Sequence, residues 1–95
     1  MKHYEFYRLV PGTDPVQIQE KSWKTFRKLD DELDWLNRPV VCRSCMDAAS
    51  DFDLMVEVEL DGEERLQALA DHARILKLEE DLKDDVVRRA VFNHY

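Results

Sequence analysis

Residues Phe52 to Leu60 read FDLMVEVEL. Phe52, Leu54, Val56, Val58 and Leu60 fall on one face of this stretch, and Asp53, Met55, Glu57 and Glu59 on the other. Successive strand side chains point to opposite sides of a sheet, so this period of two predicts a β-strand with one apolar face. Immediately downstream, Asp61-Gly62-Glu63-Glu64 reads as a helix start, with Asp61 as N-cap and Glu64 at the third position. Leu66, Leu69, Ala70, Ala73 and Leu76 then form one stripe, which Ile75, Leu78 and Leu82 continue on a shifted face. That shift predicts a bend near Asp71-His72. Asp84-Asp85 closes the helical part, and Val86 to Tyr95 reads as a last strand.

Upstream of FDLMVEVEL, residues 2–10 alternate and stop at Pro11-Gly12, a strand followed by a turn. Asp14 is a good N-cap, with Pro15 at the first helical position and Gln17 at capping-box spacing. This helix is expected to run to about Leu33 and to bury Ile18, Ser22, Trp23, Phe26, Leu29 and Leu33. Asp30-Asp31-Glu32 sits where the macrodipole disfavours acid, so that end is expected to fray. Trp35 and Leu36 would tuck the next loop against the core, and Pro39 would open a second strand reaching about Met46. The resulting order, β-α-β-β-α-β, predicts a single α+β domain over residues 1–95 with the ferredoxin-like plan.

Composition narrows the function classes. With 44% hydrophobic and 37% charged residues, two Gly and three Pro, the 95-residue chain has the make-up of a soluble globular domain. No apolar run approaches the ~20 residues that span a bilayer. MKHYEFYRLV carries no apolar signal core, and two cysteines suit a reducing compartment, so a cytoplasmic location is expected. The net charge of −7, with no basic run free of acidic neighbours, argues against nucleic acid and anionic membrane as partners.

VVCRSCM, from Val40 to Met46, holds both cysteines. Three positions apart in a strand, they would point to opposite faces with Cα atoms roughly 10 Å apart. A disulfide needs less than about 7 Å. A low-pKa redox thiol would want a helix N-terminus, and zinc would want two more ligands from three scattered histidines. The reading is therefore structural, with one buried and one peripheral thiol.

Several strings together resemble one family, the stress-responsive dimeric α/β-barrel (Dabb) proteins. KHYEFYRLVPGT is similar to that family's opening strand, FDLMVEVELDGEERLQALADH to its third strand and second helix, and VVRRAVFNHY to its final strand. The resemblance covers essentially the whole chain. It implies a homodimer in which two four-stranded sheets face each other as a barrel, with helices outside. It also implies which face of the first strand is which. Alternation alone would send Tyr4, Phe6 and Val10 to the core and expose His3, Glu5, Tyr7 and Leu9. In the family the partner covers one sheet face, here Tyr4, Phe6, Met55, Phe92 and His94. Glu57 and Glu59 share that face and would need cations such as Arg43 or Arg88.

The other face, by the same resemblance, looks into a pocket between sheet and helices. His3, Glu5, Tyr7, Trp23, Phe26, Leu69, His72 and Arg89 would line it, and the last strand would add Val91 and Asn93. Burying Glu5 and Arg89 is costly unless they pair. Two readings stay open: a pocket with acid, base and cation for a polar aromatic or carboxylated ligand, or an ion pair filling space that relatives fill with carbon. His3, Glu5 and His72 are the candidate catalytic groups. The Tyr and second His that do catalysis in one branch of the family fall at Leu69 and Ile75 here, which cannot move protons. His72 alone reads as a helix-terminal hydrogen-bonder. The carboxylates of LEEDLKDD read as a solvated face, so no metal site is expected, and no His is placed as a haem ligand, so no cofactor is expected. The two function classes are a small-molecule-binding Dabb-type homodimer and a cofactor-independent cyclase, isomerase or monooxygenase-like enzyme for a small aromatic or polyketide-like substrate. A closed, charge-filled gap would favour the first and an open pocket beside His3 the second.

Overall fold

The computed structural model describes residues 1–45 and 49–95. Along the chain lie β1 (Lys2–Leu9), α1 (Pro15–Glu32), β2 (Leu36–Arg43), β3 (Leu54–Leu60), α2 (Arg65–Ala70), α3 (Ala73–Leu82) and β4 (Val86–His94). The strands form one antiparallel sheet in the order β2-β3-β1-β4, with the helices packed on one of its faces. This is the ferredoxin-like α+β plan, with its second helix in two pieces.

β3 behaves as its alternation predicts: Leu54, Val56, Val58 and Leu60 are buried under the helices, and Met55, Glu57 and Glu59 look the other way. Phe52 departs from that pattern. It precedes the ladder, where the period of two no longer holds, and its ring lies 5.5 Å from Phe6 on the open face. The Arg88 guanidinium sits 4.6 Å above it. On β1 the helix side takes His3, Glu5, Tyr7 and Leu9, all buried, while Tyr4 and Phe6 face out half-covered. Simple alternation with aromatics inward is thereby reversed.

The Asp14 side chain caps α1 by accepting from the Val16 N–H at 3.0 Å. Ile18, Ser22, Phe26 and Leu29 form its buried stripe. Trp23, expected there, is 42% exposed, because the neighbouring Ser22 occupies the point of closest approach. The far end does not fray as the macrodipole argument predicts. Glu32 accepts from Arg74 of α3, with Nε at 2.9 Å and Nη2 alongside, and Leu33 N–H still reaches Leu29 O at 2.9 Å.

β2 begins at Leu36, earlier than Pro39. Pro39 sits instead at a bulge, where the register shifts between Asn37 and Val40 and Arg38 adopts φ 55°. An edge strand tolerates the missing N–H, and the bulge takes up the extra residue. The strand ends at Arg43, so Cys42 lies inside it and Cys45 beyond it; both are exposed, so neither thiol is the buried one expected. Met46, the expected end of this strand, lies outside the described residues.

The bend expected at Asp71-His72 is a complete break. α2 starts at Arg65, not after Asp61, and its N-cap Glu64 makes no side-chain cap bond. α3 starts anew with His72 as its cap. Leu69, Ile75, Leu78 and Leu82 are the buried positions, and Leu76 is 52% exposed, so the single stripe through Leu76 does not form. Among the described residues, no helix is long and apolar enough to cross a membrane.

Candidate functional site

The site begins with Glu5, in the middle of β1 and 3% exposed. Its carboxylate accepts four hydrogen bonds. Oε1 takes the Tyr7 hydroxyl at 2.8 Å and the Arg89 Nη2 and Nε at 2.7 and 3.2 Å, and Oε2 takes His3 Nε2 at 2.9 Å. Strand geometry explains the convergence. His3, Glu5 and Tyr7 are two apart on one strand and share a face, while antiparallel pairing sets Arg89 opposite Tyr7 and Asn93 opposite His3. Asn93 Oδ1 accepts from His3 Nδ1 at 2.6 Å. Both ring nitrogens of His3 thus face oxygen acceptors, which is the arrangement of an imidazolium.

The charges follow from these bonds. Burial works to raise the Glu5 pKa, but the His3 hydrogen bond and the Arg89 guanidinium outweigh it and hold the carboxyl at about 2. Burial likewise opposes a charged His3, yet the bonds to Glu5 and Asn93 prevail and raise its pKa above 6.5. Burial and the Glu5 charge push the Tyr7 hydroxyl well above its usual value. The cluster is therefore an ionised Glu5 held by Arg89⁺ and a neutral Tyr7, with a His3 whose bonds favour the protonated ring. Glu5 is too acidic to act as a base near neutrality, and the His3 protons are committed.

Beside this network a recess of about 210 Å³ opens between β1, β4 and α3. Tyr7 and Arg89 form its polar floor; Leu78, Leu82 and Val86 are its apolar walls; Glu79 and Lys83 stand at its edge. Arg89 Nη1 reaches Glu79 Oε1 at 3.4 Å. One carboxylate of the run read as a solvated face is therefore part of the site. Its signal in the sequence was position: Glu79 neighbours the buried Leu78 and sits one turn before Lys83.

Of the eight pocket residues expected, the structure brings His3, Glu5, Tyr7 and Arg89 into one network and gives only Tyr7 and Arg89 to the recess. Phe26 and Leu69 are core, at 0% and 3% exposure. Trp23 faces a different groove, with Gln19, Glu20, Pro39, Val40 and Val41 along β2. His72 stands between α2 and α3, where its Nδ1 accepts from the Arg74 N–H at 3.1 Å. Val91 shares the strand face of Glu5 but is 49% exposed, since the helices do not reach over β4. Among the described residues, no group of three or more His, Cys, Asp or Glu is placed to hold a metal ion.

On the open face Tyr4 stacks on His94 at 5.5 Å and lies 6.4 and 6.2 Å from Phe6 and Phe92. Met55 is half-buried beside Phe6, its partner in the ladder. The cations meeting Glu57 and Glu59 are Lys2, at 3.5 and 3.4 Å, and Arg38, 3.6 Å from Glu59. Arg88 and Arg43 do not fill that role: Arg88 is engaged over Phe52, and Arg43 pairs with Leu54 on the helix side.

No protein-family model and no curated protein matches the sequence. Solved structures do. A dimeric protein of unknown function with a ferredoxin-like fold from Bacteroides fragilis superposes with TM-score 0.83 at 12% identity, covering 98% of this chain and 92% of that one. A Dabb family protein with a ferredoxin-like fold from Mesorhizobium loti gives 0.72 at 10% identity, over 99% and 93% of the two chains. The chain shares their ferredoxin-like fold. SnoaB, a cofactor-independent oxygenase from Streptomyces nogalater, matches at 0.69 and 10% identity, over 98% and 92%. The same fold is thus shared by proteins with and without an assigned reaction, and the side chains must decide between them.

Proposed function

We propose that this chain is a Dabb-type homodimeric protein that binds a small molecule and performs no chemistry on it. The observation that carries the reading is the state of Glu5 and His3. The two groups on β1 that could have served as base are locked into a four-donor network with no room for substrate, while an apolar recess remains beside it. Arg89 presents a guanidinium to that recess beside Tyr7, which suits a compact apolar ligand with one anionic or hydrogen-bond-accepting group.

The dimer is supported by the open sheet face. Tyr4, Phe6, Phe52, Met55, Phe92 and His94 form an aromatic and thioether surface whose Phe92 is 57% exposed in the single chain. A second copy covers it, as the B. fragilis relative's dimeric state suggests. Lys2 and Arg38 together already meet Glu57 and Glu59 within the chain, so two such faces can meet without opposed bare carboxylates.

A thermal-shift screen of small aromatic and aliphatic acids, phenols and neutral analogues tests the binding. Acids or phenols should raise Tm in the wild type and lose the effect in Val86→Phe, in which a larger side chain at a half-buried wall position fills the recess without adding charge, circular dichroism checking the fold. A panel with no stabilising ligand, or a shift unaffected by Val86→Phe in a folded variant, refutes it. Turnover of a ligand found this way would instead favour the cofactor-independent enzyme.

A further inference from the structure

On the outer side of the helix layer, α1 and α3 enclose a second recess, of about 190 Å³, lined by Lys21, Lys24, Thr25, Lys28, Arg74, Lys77, Leu78 and Asp81. Five of the chain's 14 basic residues stand here against one of its 21 acidic residues, in a molecule of net charge −7. Residues 21, 24, 25 and 28 are three or four apart and fall on one helix face, and Arg74 and Lys77 are three apart on the facing helix. Like charges at such spacings repel, and the fold gathers them from both sides of one cleft.

Two features set this cleft apart from an ordinary solvated face. Arg74 is held by the Glu32 carboxylate through Nε and Nη2, so its guanidinium has a fixed place at the rim. Lys21, Lys24, Lys28 and Lys77 form no ion pair among the described residues, although most other basic side chains around the sheet do. Of the carboxylates nearby, Asp81 is in the lining, Glu32 is engaged with Arg74 and close to Lys28, and Glu20, Asp31 and Glu80 stand one helical turn from Lys24, Lys28 and Lys77 without pairing with them. We propose that the cleft between α1 and α3 binds a compact phosphorylated molecule carrying two or more negative charges.

The chemistry selects this class. Ammonium groups on flexible stems converge on tetrahedral oxyanions from any direction, and the Thr25 hydroxyl adds a neutral donor. The cleft is too short for an extended polyanion: beyond its five cations the surface returns to the acidic character of the rest of the chain.

Titration calorimetry of inorganic pyrophosphate into the full chain at physiological ionic strength tests this. Saturable binding at one site per chain is expected. It should weaken about tenfold or more in Lys24→Gln/Lys77→Gln and weaken with added salt, because Coulomb attraction is screened. Arg38→Gln, a charge loss on the far side of the sheet, should leave it unchanged, and circular dichroism should show all variants folded. The proposal is overturned by the absence of saturable binding, by equal affinity in the double lysine variant, by citrate binding as tightly as pyrophosphate, or by a glutamate-rich peptide or single-stranded RNA binding more tightly than either.

Discussion

Glu5 sets the energetics at the scale of single residues. With its charge removed, His3 and Arg89 lose their shared anionic partner, and the amide that replaces it has one acceptor oxygen in place of two, while two of the three groups stay buried. Glu5→Gln should cost about 3 kcal/mol, in the range for breaking a buried pair. Arg89→Met added to it should cost clearly less than the two single changes summed, with a coupling of about 1–3 kcal/mol; urea denaturation of the four proteins measures this. The pH profile has a defined shape. Glu5 is depressed from 4.5 to about 2, so its contribution is present above about pH 4.5 and is lost as pH falls through that interval. His3 is raised above 6.5, so its contribution is complete below that pH and is lost as pH rises through the higher folded value. Stability should therefore crest between about pH 4.5 and 6.5, and Glu5→Gln should flatten both limbs; urea midpoints across pH check it. The sequence disclosed the shared face of His3, Glu5 and Tyr7 through their spacing. It could not disclose that Asn93 completes His3, because that depends on the β1–β4 register.

At the scale of elements, the departures from pattern lie where a backbone turn overrides periodicity. His72 is legible as a helix-end residue, and the structure makes it the cap that lets α3 restart after α2. His72→Ala should lose about 1 kcal/mol and His72→Asn should restore most of it, since Asn is a better cap; thermal melts decide, and a requirement for the imidazole itself would point to chemistry instead of capping. Arg38 is the other local feature. At φ 55° it occupies a region that costs ordinary residues energy and β-branched ones more. Arg38→Gly should be neutral or slightly stabilising and Arg38→Val should cost about 1–2 kcal/mol, both read from Tm. Nothing in LNRPVVCR announces this bulge: Pro39 reads equally well as a strand start, and only pairing with β3 shows where the extra residue is absorbed.

For the molecule as a whole, the open sheet face decides the assembly. Phe6→Lys would set an ammonium in the aromatic array and should convert a dimer into a folded monomer, seen by sedimentation with unchanged circular dichroism. A wild type that is monomeric at micromolar concentration would remove the dimer from the reading while leaving the recess beside Tyr7 intact. The fold was legible because β3 and α1 carry strong periodicity, β1 alternates up to the Pro11-Gly12 turn, and the order of elements admits few topologies. The orientation of β1 was not, since aromatics stand on one of its faces and polar groups on the other. Only the bonds that His3 and Glu5 make to Asn93 and Arg89 of β4 explain why the polar side is the one turned inward.

That interlock has an evolutionary corollary. Four side chains from two distant segments satisfy one another, so a descendant that swaps any one of them alone passes through a weakened intermediate. Lineages carrying this arrangement should change those positions jointly or hardly at all, and an ancestor with leucine or valine there could reach it only by a route that arrives at several substitutions nearly together.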